Sequence, residues 1–222
     1  VFLLSSKVVV SLVASLLFGI HPIHVESIAW AAELKDLLYT FFFLASCIYY
    51  LNYLYAKKSN YYIFALLLFV ASLLSKAMAA SLPFVFLLFD FYKNRKFSMK
   101  TVMEKVPFLA LALSFGIIAI LAQKSAGATD VIYFSFFQRM AFAAYSFFLY
   151  LYKIILPIQF SGYYPYPMKN GEYITAPYYW YLFLLLIFIA GLFYSLRYSK
   201  ILFFSIAFFA ITVFLVLQLF PV

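Results

Sequence analysis

The chain has 222 residues, of which 68% are hydrophobic, 24% aromatic and only 10% charged. Roughly a quarter of the residues in a soluble domain are charged, so this composition excludes an ordinary soluble globular fold. The net charge of +9 does not point to nucleic acid in so apolar a chain; the informative question is which side of a membrane carries the positive residues.

Apolar runs recur along the chain, and a helix of about 20 apolar residues crosses a hydrocarbon core about 30 Å thick. Short alternating segments, the mark of a transmembrane β-barrel, are absent. We therefore expect an all-α, multi-pass transmembrane helical bundle. In chain order the spans are predicted at 8–20, 37–56, 61–75, 77–92, 106–122, 178–196 and 201–219, seven in all. The segment 123–177 between the fifth and sixth spans mixes polar loop with an apolar part at 140–156. The first run lacks a small-residue cleavage site and leads into further spans, which is not the pattern of a signal peptide. Val1 at the start and Phe220-Pro221-Val222 at the end of an apolar run read as a segment open at both ends. The single cysteine, Cys47, lies in an apolar run and forms no internal disulfide.

The positive-inside rule sets the orientation. With Lys7 inside and alternating spans, Lys57, Lys58, Lys93, Arg95, Lys96, Lys100 and Lys105 fall inside as well. Arg197 and Lys200 join them only if 123–177 begins and ends outside, which makes 140–156 an interfacial or re-entrant helix. The inside then holds ten Lys/Arg against Asp90 and Glu104, and the outside six Lys/Arg against five acids. The chemically varied segments collect on the outer side. No P-loop, dinucleotide glycine motif or HExxH is present.

After the first span comes HPIHVESIAW. Pro22 suits the first turn of a helix with His21 near its cap, and His21 and His24, three apart, share a face. Glu26, Trp30 and Glu33 form a second stripe if the helix continues. The cluster reads as the mouth of a cavity binding phosphate or sugar hydroxyls, or as a proton-transfer site. Two histidines and a carboxylate also match a zinc donor set, the minority reading, and a wet interfacial turn is equally compatible with the spacing. Lys76 ends the third span in SLLSKAMAASLP. It either faces inward to an anionic headgroup or snorkels to the interface, and Pro83 should interrupt or kink the next run.

In RMAFAAYSFFLYLYK the residues Arg139, Ser146, Tyr150 and Lys153 fall on one helical face. This fits an interfacial helix or one wall of a phosphate-lipid groove. FSGYYPYP follows, and its Tyr164 and neighbours offer flat apolar faces with hydroxyls, suited to sugars or to the headgroup region.

Taken in order, HPIHVESIAW, LKDLL, SLLSKAMAASLPFVFLLFD, EKVPFLAL and an Arg–Tyr–Lys–Pro segment ending in YYPYP resemble the membrane region of one group of proteins. These are bacterial tetratricopeptide-repeat proteins related to the eukaryotic transmembrane O-mannosyltransferases with such repeats. The resemblance covers essentially the whole chain, and HPxHxE is its most specific part. It implies a GT-C fold and sugar transfer from a polyprenyl-phosphate donor to a protein acceptor at the outer or lumenal face. It also implies an acidic catalytic residue on a first external loop upstream of Val1, so that no catalytic residue is expected within these residues.

On that reading His21, His24 and Glu26 support catalysis, while Lys76, Arg139, Lys153, Tyr150 and Tyr164 meet donor sugar or lipid phosphate. Ala77 follows Lys76 where many relatives carry an acid, so a Lys–acid pair does not carry over at that position. No cofactor or metal is expected beyond the lipid-linked sugar as donor substrate; the partners are membrane lipids, that donor and a protein acceptor. Two other classes stay open, a non-catalytic membrane scaffold anchoring the repeats and a transporter or lipid flippase. The last is disfavoured because ionisable residues gather at span ends, whereas transporters place their sites near the midplane.

Overall fold

The computed structural model describes residues 1–125, 134–158, 160–161 and 176–217, without the side chains of 176 and 177. Tyr164 and the rest of FSGYYPYP beyond Ser161 lie outside the described residues. The described chain is helical throughout, with no strand. Its α-helices are α1 (Phe2–Ser5), α2 (Val8–Ile20), α3 (Val25–Ala29), α4 (Leu34–Ala56), α5 (Ser59–Ser75), α6 (Leu82–Tyr92), α7 (Met99–Met103), α8 (Val106–Ser125), α9 (Phe136–Ile155), α10 (Ala176–Ser195) and α11 (Lys200–Phe214).

Among the described residues, four helical stretches are long and apolar enough to cross a membrane: Ala31–Ala56, Met99–Ser125, Tyr178–Ser195 and Lys200–Leu217. Val8–Ile20 and Pro22–Ala29 together qualify as a fifth, bent by 46° at the break. The protein is a helical membrane protein. Helices Ser59–Ser75 and Ala77–Tyr92 are apolar but shorter; the 17 residues of α5 cover about 26 Å at 1.5 Å per residue. Helix α9 has 20 residues, enough to span, yet it is not among the stretches apolar enough to do so. Its polar positions are the reason, since Gln138, Arg139, Ser146 and Lys153 interrupt the apolar run.

Pro83 neither breaks nor kinks the interior of the fourth predicted span, which is helical from Ala77 to Tyr92; it lies where a 3-10 turn passes into α6. Ala77–Ser81 is a 3-10 turn and Pro83 sits in the first turn of α6. There its missing N–H has no intrahelical partner to lose, and its fixed φ favours starting the helix over kinking it. The expected stripe of Glu26, Trp30 and Glu33 does not form. Trp30 is extended, with φ −99° and ψ 113°, and separates α3 from a 3-10 turn at Ala31–Glu33, so the helix that would align the three residues is broken in the middle.

The chain divides into two compact units, Val1–Ala79 with Tyr152–Gly162, and Ala80–Leu151 with Tyr163–Val222. The first is built around an antiparallel α4–α5 hairpin. Phe43, Ser46, Cys47, Tyr50 and Leu51 on α4 meet Ala65, Phe69, Ser72 and Leu73 on α5, all buried. Serine hydroxyls tie the two helices: Ser46 Oγ donates to the Ala65 carbonyl at 2.6 Å and Ser72 Oγ to the Tyr39 carbonyl at 3.0 Å. Small residues at the contact let the backbones approach, as in membrane bundles generally, where lipid offers no hydrophobic drive for helix association. Lys57, with φ 55°, turns the chain between them.

In the second unit α6 is the central element, with Leu82, Val85, Phe86 and Phe89 buried. Phe86 meets Phe108 of α8 edge to face, and Phe89 stacks on Phe204 of α11. Helix α9 presents Phe142, Tyr145 and Phe148 to α10. Phe142 contacts Tyr178, Tyr145 contacts Tyr178 and Tyr181, and Phe148 contacts Tyr181 and Phe188. The contacts advance along both helices in the same sense, so α9 and α10 run in the same direction.

Candidate functional site

The polar turn after α2 folds as its sequence predicts. His21 is the N-cap of a 3-10 turn at Pro22–His24, and its Nδ1 accepts the Ile23 N–H at 3.2 Å. With Nδ1 accepting, Nε2 is the donor nitrogen and meets the Ile154 carbonyl at 3.0 Å. Ile154 lies in the last turn of α9, where carbonyls have no intrahelical partner. The histidine thus satisfies one backbone group on each side of the contact. His24 shares the face with His21, their ring centroids 6.4 Å apart, and packs on Phe18 at 4.6 Å.

Lys153 precedes Ile154 on α9. It is buried, donates from Nζ to the Ile158 carbonyl at 2.6 Å and lies 5.5 Å from the Phe160 ring centroid. The structure thus brings HPIH, the most specific of the sequence motifs, to the end of the helix that carries one predicted phosphate-binding cation. Glu26 stands in the first turn of α3, exposed; its carbonyl accepts the Trp30 N–H at 3.0 Å, while its carboxylate makes no ion pair or hydrogen bond with another described residue. Both nitrogens of His21 are engaged with backbone, so neither offers a lone pair to a metal. Among the described residues no three His, Cys, Asp or Glu side chains are placed to hold one.

Lys76 finds an acid that the local sequence does not offer. It pairs with Asp36, in the first turn of α4, at 2.5 Å, both side chains partly exposed. Asp36 belongs to LKDLL, another of the segments carrying the resemblance, and was not among the residues expected at the site. Forty positions separate the pair, so only the α4–α5 hairpin shows that they meet. An acid in a first helical turn is itself favoured by the positive helix end.

The other predicted residues lie in the second unit. Arg139 is in the first turn of α9, its guanidinium 5.8 Å from the Phe136 ring, and Tyr150 is half-exposed further along. Because α9 is continuous, Arg139, Ser146, Tyr150 and Lys153 do share one stripe. Tyr164 lies outside the described residues.

A further ionic cluster of the second unit escaped sequence reasoning. Arg95 makes a bidentate contact to Glu104 at 2.6 and 2.8 Å and reaches Asp90 at 3.5 Å; Lys105 Nζ pairs with Asp90. Its signal was available, as opposite charges at both ends of one short inter-helix turn.

Comparison of the chain with protein-family models, with curated proteins and with solved structures finds no match.

Proposed function

We propose that this chain is the membrane region of a glycosyltransferase with a GT-C-like fold, of about seven spans with α9 as an interfacial or re-entrant helix. It takes a sugar from a polyprenyl-phosphate donor at the outer or lumenal face and passes it to a protein hydroxyl. The observation that carries this reading is the seating of the HPIH turn on the C-terminal end of α9, next to Lys153. In the reaction the acceptor oxygen bonds to the anomeric carbon as the bond to phosphate breaks. The acceptor proton goes to a carboxylate acting as base, and the polyprenyl phosphate departs. Fixed cations stabilise the charge that develops on the departing phosphate; Lys153 and Lys76, both in the first unit, have that role. The exposed Glu26 carboxylate, which has no partner among the described residues, orients the sugar or the acceptor, with His24 beside it.

The test is transfer from a polyprenyl-phosphate hexose to acceptor protein in membranes containing the full-length protein. Glu26→Gln and His24→Ala are expected to cut transfer at normal abundance. Unchanged transfer in both would sink the assignment of these residues. A second reading, a non-catalytic scaffold, is favoured by one feature. Lys76, Lys153 and His21 all bond to the chain's own groups. No transfer from any lipid-linked sugar by the wild-type protein would select it.

A further inference from the structure

At one end of the second unit, four helix ends meet: the C-termini of α6 and α10 and the N-termini of α8 and α11. Phe91 contacts Phe203, Tyr92 contacts Phe204, and Lys200 Nζ donates to Asn94 Oδ1. These contacts set two basic turns side by side, KNRKFSMK at 93–100 and LRYSK at 196–200, which lie about a hundred residues apart in sequence. Seven cations fall in 93–105 and 197–200, against two acids, Asp90 and Glu104, in and beside the cluster. Both acids are held inward by Arg95 and Lys105.

The outer layer carries Lys96, Lys100 and Arg197, all exposed, with the half-buried Lys93 over the Tyr92 ring, as a basic surface. It is not purely ionic. Phe97 is 83% exposed and Met99 77% exposed, each adjacent to an exposed lysine. A large exposed apolar side chain between lysines suits the boundary between headgroups and acyl chains. The surface also lies at the ends of Met99–Ser125, Tyr178–Ser195 and Lys200–Leu217, all long enough to span, so it sits at bilayer level.

We infer that this paired turn is a binding site for anionic phospholipid headgroups, with Lys93, Lys96, Lys100 and Arg197 on the phosphates and Phe97 and Met99 in the acyl layer. Clusters of four or more basic residues at a helix end recognise anionic lipid. The structure assembles such a cluster from two turns, neither of which holds four outward cations alone. The site is independent of the proposed sugar transfer. On the topology proposed above it faces the cytoplasmic leaflet.

The experiment places the full-length protein in nanodiscs of phosphatidylcholine with a minor share of phosphatidylglycerol. Lipids retained after gentle delipidation are counted by native mass spectrometry. The wild type is expected to retain phosphatidylglycerol well above its share. The variant K96Q/K100Q/R197Q should lose that preference by at least about tenfold, since each basic residue near an anionic surface contributes roughly fivefold. Phe97→Ser should lower retention of both lipids and leave the preference. As a matched control, K57Q/K58Q removes two cations from the turn between α4 and α5 and is expected to keep the preference.

The inference is overturned if the triple variant keeps the preference. It is also overturned if the control loses as much as the triple variant, which would make the effect bulk charge. Inorganic phosphate at millimolar concentration, or an acidic soluble protein, displacing the retained lipid would equally overturn it, because the occupant would then not be a lipid surface. A melting temperature of the triple variant close to wild type in detergent shows that the fold survives; if it does not fold, R197Q alone, expected to lose about fivefold, decides the same question.

Discussion

In the second unit, Asp90, Arg95, Glu104 and Lys105 form an ionic network whose side chains are 1% to 18% exposed. In the first, Lys76 and Asp36 pair at 2.5 Å with side chains 30% and 26% exposed. Both join the ends of helices, yet they differ in what would follow from breaking them. A buried charge that loses its partner is left uncompensated in a medium that cannot solvate it. A partly exposed charge that loses its partner recovers water. The buried network is thus read as a clip that fixes α6 to α8. The open pair is read as a group that can exchange its partner for a ligand.

The sharpest test of that contrast is Lys105→Met, which removes the buried ammonium paired with Asp90. The expected loss is about 3–5 kcal/mol, visible as a large drop in abundance and in melting temperature. Replacing both partners, D90L/K105M, should recover most of it; failure to recover would mean that the network does more than hold the helices.

The mirror experiment is Lys76→Met or Asp36→Asn. Either should cost about 1 kcal/mol or less in stability, so that thermal melts shift little, while sugar transfer falls if the pair lies in the site. A stability loss as large as that of Lys105→Met would erase the distinction between the two regions. His21→Ala removes a helix cap, worth about 1 kcal/mol, together with its bond to Ile154. His21→Asn keeps a capping acceptor, and melting should show partial recovery. The smallest effect is expected for Ser46→Ala in the α4–α5 contact, about 0.6 kcal/mol, the average for hydrogen bonds between membrane helices.

Much of the helix layout was legible in the sequence. The run 8–20 is α2 to the residue, and the ends predicted at 56, 75 and 92 are those of α4, α5 and α6. Lysines directly after the apolar runs mark these ends, because a charged side chain stays out of the hydrocarbon. The break at Trp30 was not legible. Glu26, Ser27, Ala29 and Ala31 are all compatible with a helix, and the extended conformation of Trp30 has no local signature. The site was legible in part. Residue types, and the His21 cap beside Pro22, could be read off; their partners could not. Asp36 and Ile154 reach Lys76 and His21 from 40 and 133 positions away, and nothing in a local window encodes such a meeting.

The sequence by itself determined that this is a helical membrane protein and where most of its helices stop, because hydrophobic length and flanking charge act locally along the chain. Only the tertiary structure decided which charges meet. It alone showed that α9 runs in the direction of α10, that HPIH closes on the end of α9, and that two distant basic turns form one surface. Those outcomes depend on how side chains from separate helices fill common space, and packing of that kind is a property of the assembled molecule.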